Sequence, residues 1–409
     1  MFLLRNIKSL VLTETNPQKK VLGSQMKQLN SIENAWILLE NDTIHSFGSM
    51  ENCPQHIDNQ LDATGRLVLP SFCDSHTHLV FAATRENEFE DRINGTTYEE
   101  IAKKGGGILH SARRLEEMSE ENLFQQAQKR LSEVIGFGTA ALEIKSGYGL
   151  TVASELKMLR VIRRLRESAG ISIKSTFLGA HAVPTLFKAD RNAYISLIIN
   201  EMLPNIAAEG LADYIDVFCE KIGFSVTEMN QLLEAGAKYN LKAKVHVNQF
   251  NCMGGIAAAL RHKAISVDHL EVLDDDDLAA LRSSDTIATL LPSAPFFLND
   301  HYPPARKLLD ANVAVALATD YNPGTSPSGR MSFVWSLACL HLKMTPSEAL
   351  HALTLNGAAA MELSDTHGSI AVGKKANLLL TKPLQSLAAL PYSFGNDCFE
   401  KIILNGKII

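Results

Sequence analysis

Apolar positions in this chain fall into short, nearly unbroken runs, separated by longer stretches in which they recur every three or four residues. From about residue 67 onward eight runs stand out: LVLPSFCDSH, TAALEIKS, ISIKSTFLGA, YIDVFCE, LKAKVHV, AISVDHL, TIATLLP and VAVALATD. Such continuity marks strands buried on both faces, as in a parallel sheet. The intervening periodicity predicts helices over Glu120 to Val134, Ser154 to Ser168, Ala193 to Ala208, Thr227 to Tyr239, Ile256 to Arg261, Asp274 to Ser284, Pro304 to Ala311 and Met331 to Leu342. Eight alternating strand–helix units predict an α/β fold of the TIM type, a closed (β/α)8 barrel over residues 67–367. The ends differ. AWILLEND, TIHSFGS and ATGRLVL before the barrel, and GSIAVGKKANLLL and EKIILNGKII after it, are short alternating strands with Asn and Gly turns. Residues 1–66 and 368–409 are therefore expected to form one small composite β-sandwich domain.

Composition narrows the function classes. With 409 residues, 46% hydrophobic and 21% charged, the chain can bury a large core, which excludes disordered, collagen-like and disulfide-scaffold classes. A net charge of -6 without a Lys/Arg stripe argues against nucleic acid, leaving a small molecule as the expected partner. The six cysteines are scattered and include no CxxC pair, as expected of reduced thiols. The opening MFLLRNIKSLVLTE, interrupted by Arg5 and Lys8, reads as a strand rather than a signal peptide, and no run reaches the ~18 apolar residues of a membrane span. A cytoplasmic protein without membrane contact is expected. Asp274 to Asp277 read as a solvated helix start rather than a calcium loop, and Gly105 to Gly107 lack any accompanying phosphate-binding fingerprint.

Polar residues concentrate where a barrel of this kind carries its chemistry, at the C-terminal ends of the strands. The first strand runs into Asp74-Ser75-His76-Thr77-His78; residues two apart on a strand share a face, so both imidazoles can address one ion. His181 follows the third strand, His246 the fifth, His269 the sixth and Asp320 the eighth. Singly, each His is more simply a hydrogen-bonded scaffold residue. Five histidines and an aspartate ending different apolar runs are hard to obtain from packing, because such groups are costly to bury unpaired. His76, His78, His246 and Asp320 are therefore assigned as ligands of one metal ion per subunit, zinc or iron, able to make hydroxide available near neutrality. The fourth strand ends in Phe218-Cys219-Glu220, without the modified lysine that bridges two metals in many such barrels, so a single metal is favoured.

The strings LPSFCDSHTHLVFAATRENEFEDR, GGGI, LEIKSGYGLTVASELKMLR, TFLGAHAVP, DVFCE, VHVNQF, SVDHLE and LATDYNPGTSPS resemble the imidazolonepropionase family of the amidohydrolase superfamily over nearly the whole chain. The resemblance implies hydrolysis of 4-imidazolone-5-propanoate, a small anionic heterocycle, to N-formimidoyl-L-glutamate in histidine catabolism, and a homodimer. It also implies substrate contacts at Arg85, Tyr148, His181, Gln249, Asn322, Gly324 and Thr325. Arg85, Tyr148 and the loop after the eighth strand each have a bland alternative. Arg85 suits the propionate bidentately but also suits an ion pair with Glu86 or Glu88. Tyr148, between Gly147 and Gly149, offers a hydroxyl or simply packing. His181 is expected to donate to the ring carbonyl oxygen. The N–H and side-chain donors of Asn322, Gly324 and Thr325 suit the carboxylate released by ring opening, or the loop is a plain turn around Pro323-Gly324. Phe333 to Leu342 suits a partner subunit or, by default, the barrel.

One departure bears on mechanism. Many superfamily members carry His-x-x-Glu after the fifth strand, the Glu shuttling protons, whereas this chain reads His246-Val247-Asn248-Gln249. A glutamine amide cannot serve as base, so Gln249 is expected to orient the substrate and proton transfer passes to His269 and Asp320, with His181 assisting. Competing readings are another amidohydrolase activity, such as heterocycle deamination, and a barrel that has lost catalysis. A neutral base needs no carboxylate clamp like Arg85, and all four ligands are intact.

Overall fold

The computed structural model describes residues 1–96, 100, 106–394 and 396–409; Gly105 of the glycine cluster lies outside them. Eight parallel strands follow one another in chain order: Phe72–Asp74, Thr139–Lys145, Ser172–Ala180, Tyr214–Cys219, Lys242–Val247, Ser266–His269, Ile287–Leu290 and Val315–Leu317. The first and last meet just beyond their ends, through a parallel bridge between Thr77 and Tyr321. There the His78 N–H donates to the Tyr321 carbonyl at 2.9 Å and the Asp320 N–H to the His76 carbonyl at 3.0 Å. That seam places residues 244 positions apart in sequence on adjacent backbones (76 and 320), so the ligands expected from the first and eighth strands become neighbours.

The helices between strands lie where the periodicity puts them, and local chemistry sets their starts. Ser119 and Thr151 cap Glu120–Gly136 and Val152–Ser168, and a Ser225/Glu228 capping box opens Val226–Ala237. Asp274 caps Asp275–Arg282, its carboxylate accepting from the Asp277 N–H at 2.8 Å; Asp274 to Asp276 are exposed as expected of a solvated helix start, whereas Asp277 is buried. The third predicted helix contains a wide turn, Ile198–Met202, between Arg191–Leu197 and Leu203–Glu209. The periodicity did not announce Ser293–Leu298, only six residues long, or Pro346–Leu353.

The run LVLPSFCDSH is divided between two sheets. Leu67–Pro70 pairs with Phe2–Val11 and Leu378–Thr381, and only Phe72–Asp74 enters the barrel. Ser71 is the crossing point: its N–H goes to Asn377 of the end sheet and that of Phe72 to Gly138 of the barrel, both at 3.0 Å. Both chain ends thus contribute to one mixed eight-stranded sheet. It curls on itself: the Ala376 N–H reaches the Asp42 carbonyl at 2.8 Å, and the turn holding Asn41 meets the turn holding Gly406. Gly406 has φ +75°, and a Cβ there would lie 2.0 Å from the Asn41 carbonyl oxygen, so no side chain fits. Leu4, Ile37, Leu378 and Ile403 share the enclosed face.

Candidate metal centre and active site

Extended backbone after the first strand turns His76 and His78 to the same side, their ring centroids 5.4 Å apart. His246, the fifth residue of the fifth strand, brings its ring to 4.4 Å from His76. His76 Nδ1 lies 2.6 Å from Asp268 Oδ2 and His246 Nδ1 2.8 Å from Asp216 Oδ2. A carboxylate only accepts, so each Nδ1 carries the proton and each Nε2 presents a lone pair. Both Nε2 atoms are buried and have no hydrogen-bond partner among the described residues, which is costly for a group buried for structure alone. Nitrogens of His76, His78 and His246 lie within 4.8 Å of one another, and Asp320 Oδ1 is 3.5 Å from His76 Nε2 and 3.6 Å from His78 Nε2.

Electrostatics suit a cation there. Burial first, then neighbouring positive groups, hold the His76, His78 and His246 imidazoles well below their usual range, so they are neutral, the ligating form. Burial pushes Asp320 up to about 7, a cost that a neighbouring cation would relieve. The residues fit a metal ion: three neutral nitrogens and one carboxylate converge in a buried site. Asp320 and His269 are held at φ +54° and +91°, left-handed backbone that is uncommon outside glycine and that turns both side chains off the strand ends into the mouth.

His269 belongs to the same cluster, one of its ring nitrogens lying within 4.8 Å of ligating atoms of His76 and Asp320. Burial alone would lower its pKa, but Glu271, 3.2 Å from Nδ1, together with Asp320 raises it to about 9. His181 stacks on His78 at 5.1 Å, and Tyr148 lies 5.5 Å from His181 and 5.9 Å from His78. His181 Nδ1 is 3.2 Å from the Gly147 carbonyl, and burial lowers the ring to about 4. A carbonyl only accepts, so the neutral ring carries its proton on Nδ1 and Nε2 is an acceptor. With this tautomer Nε2 accepts, whereas the role expected toward the ring carbonyl oxygen needs a donor there.

Arg85 lies against the eighth-strand loop: a Cβ on Gly324 would sit 2.2 Å from Arg85 Nη1. Its Nε and Nη2 donate to Glu88 at 2.9 and 2.6 Å, so the ion pair foreseen as its bland alternative is present. The N–H groups of Gly324 and Thr325, expected to meet a carboxylate, both donate to Asn322 Oδ1 at 2.8 Å; the loop is a closed Asn turn and those donors are taken. Gln249 is half-buried in the turn after the fifth strand. The left-handed Asn248 precedes it, with its amide on Asp277 at 2.6 Å.

Sequence reasoning assigned no role to the residues beneath the ligands. Lys145, fully buried at the end of the second strand, places Nζ 2.7 Å from Glu143, 2.9 Å from Asp216 and 3.6 Å from Asp268. It thus joins the two carboxylates that orient His76 and His246. The available signal was a charged residue inside an apolar run: Asp216 in YIDVFC, Asp268 in SVDH, Glu143 and Lys145 in TAALEIK. Asp216→Asn would replace an obligate acceptor by an amide that can present a donor to Nδ1. Metal affinity should fall about 10–100-fold with the fold retained, read by chelator competition against the unaltered chain.

Residues 67–409 match the amidohydrolase family. The chain is 54% identical over 408 residues to an imidazolonepropionase of Christiangramia forsetii, covering 100% of this chain and 99% of the relative. It is 53% identical over 408 residues to one of Flavobacterium johnsoniae at the same coverage, and 38% identical to one of Alkaliphilus metalliredigens over 95% of this chain and 93% of the relative. The chain belongs to the imidazolonepropionase family. Its fold extends further through the amidohydrolases. A 5-methylcytosine deaminase of Klebsiella pneumoniae superposes with a TM-score of 0.75 at 17% identity, covering 100% of this chain and 98% of that one. An E. coli guanine deaminase gives 0.72 at 16% identity over 100% and 98%. At such identities the likeness is one of fold. Within the imidazolonepropionase family reading, the chain is a hydrolase with a site suited to a metal ion. No helix among the described residues is long and apolar enough to cross a membrane.

Proposed function

We propose that this chain hydrolyses 4-imidazolone-5-propanoate to N-formimidoyl-L-glutamate in histidine degradation. The observation that carries the reading is the convergence of unpartnered imidazole nitrogens beside Asp320, with the Arg85 guanidinium paired to Glu88 close to Gly324. The proposal includes one zinc or iron ion per chain, held by His76, His78, His246 and Asp320, supplying Lewis acidity toward the ring carbonyl and water. Water adds to the ring carbonyl carbon and the adjacent carbon–nitrogen bond opens. The water oxygen remains in the new carboxylate and the leaving nitrogen gains a proton. Asp320 takes a proton from water; His269, oriented by Glu271 3.2 Å from its Nδ1, supplies one to nitrogen.

Substrate is held by the surrounding residues. Arg85 supplies positive charge for the propionate, and His181 Nε2 accepts from a ring N–H. Tyr148 and Gln249 fix the ring through hydroxyl and amide. On the eighth-strand loop, Gly324 leaves room for Arg85. Asn322 shapes the turn, and the Thr325 hydroxyl, whose donor bonds are long at 3.2 and 3.4 Å, can turn to the product carboxylate. Gly324→Ala should displace the guanidinium and raise KM about 10-fold or more with smaller loss of kcat, in steady-state kinetics. The same reading carries a cytoplasmic homodimer, for which sedimentation of the purified chain is the check. The deciding experiment follows the ultraviolet absorbance of freshly generated imidazolonepropionate. Metal-dependent loss supports the proposal, whereas no loss, with ammonia released from aminated heterocycles instead, replaces it by a deaminase.

A further inference from the structure

The loop that carries Tyr148 is built around a carboxylate that the mechanism does not use. Glu155, in the first turn of Val152–Ser168, is fully buried, and the N–H groups of Gly147, Gly149 and Leu150 donate to it at 3.2, 2.8 and 2.9 Å. The Ser146 hydroxyl, just before this loop, accepts from the Leu178 N–H at 3.0 Å. Capping alone does not account for this. The Thr151 hydroxyl already serves the helix start, and an acid that merely complements a helix dipole gains most of that effect while solvated.

What Glu155 collects is a strained loop. Gly147 and Leu150 sit at φ +107° and +56°, and a Cβ on Gly149 would lie 2.4 Å from the Glu155 nitrogen, so loop and helix are in backbone contact. A Cβ on Gly147 would lie 2.9 Å from His181 Nδ1, and the Gly147 carbonyl is what fixes the proton on that ring. Tyr148 is thereby held against His78 and His181.

We propose that Glu155 is the positioning residue for the substrate-binding loop, setting through its three backbone bonds both the place of Tyr148 and the tautomer of His181. The inference rests on the proposed hydrolysis. A carboxylate can accept all of these donors at once, whereas an amide has one oxygen and turns its N–H groups toward donors. Glu155→Gln should raise KM for imidazolonepropionate about 10-fold or more, lower kcat less, and leave the metal-to-protein ratio at that of the unaltered chain. Tyr148→Phe should raise KM as well. The double variant should be less impaired than the product of the two single effects, because both act on one contact. An unchanged KM in folded Glu155→Gln overturns the inference, as does a loss of kcat and metal in proportion with KM unchanged. Should that variant fail to fold, hydrogen exchange on the unaltered chain decides. The Gly149 and Leu150 amides are expected to be protected like those of the following helix, and exchange at the rate of an open loop overturns the inference. Lack of turnover by the unaltered chain refutes the proposed reaction instead, and the exchange measurement still tests Glu155.

Discussion

Asp320→Asn is expected to lower kcat by about 10³-fold or more while the protein remains folded. The asparagine has the same volume, and it is the residue type other than glycine that best tolerates left-handed backbone, here φ +54°. The supports of the loop do not need the carboxylate: the Asp320 N–H goes to the His76 carbonyl at 3.0 Å, and its own carbonyl accepts from Asn322 at 2.7 Å. What is lost is chemistry. An amide cannot take a proton from water, and it is a weaker partner for a cation than the carboxylate 3.5 and 3.6 Å from the two imidazoles. Initial rates, metal content and circular dichroism on one preparation check the prediction. Turnover within about tenfold of the unaltered chain would remove Asp320 from the proton path.

The second large effect falls on stability. Lys145→Met should destabilise the fold by about 3–5 kcal/mol, a substantial part of what a folded chain has to lose. Lys145 is buried among Glu143, Asp216 and Asp268, none more than 1% exposed. Removing the cation leaves Asp216 and Asp268 buried without their shared partner, although Lys244 still pairs with Glu143. Replacing every member of such a network by apolar groups can be neutral; removing one is not. Thermal unfolding should show a fall of several degrees, and metal affinity should drop as well, since His76 and His246 lean on the same carboxylates. An unfolding temperature within a degree of the unaltered chain would mean that Lys145 contributes no more than its desolvation costs.

Much of the site is legible in the amino-acid sequence. The eight apolar runs are strands because a parallel barrel buries both faces, and that period survives in one dimension. Strand ends point one way in such a barrel, so His76, His78, His246, His269 and Asp320 could be gathered without knowing a distance. The division of LVLPSFCDSH was invisible, because Leu67–Pro70 and Phe72–Asp74 are equally apolar and differ only in which sheet takes their hydrogen bonds.

The amino-acid order by itself determined the strand count, the residues at the mouth and, through KSGYGL, FLGAHAVP and TDYNPG, the family they resemble. Only the tertiary structure decided how those groups are used. Asp268 meets His76 across 192 positions and Asp216 meets His246 across 30, so no local pattern carries the pairing. The same holds for the His181 ring, whose proton position depends on Gly147, 34 residues away. It holds too for Arg85, which reaches Gly324 only because the barrel closes on itself. Periodicity and residue type record which face a side chain occupies; donor and acceptor roles are properties of the partner, and the partner is chosen by the fold.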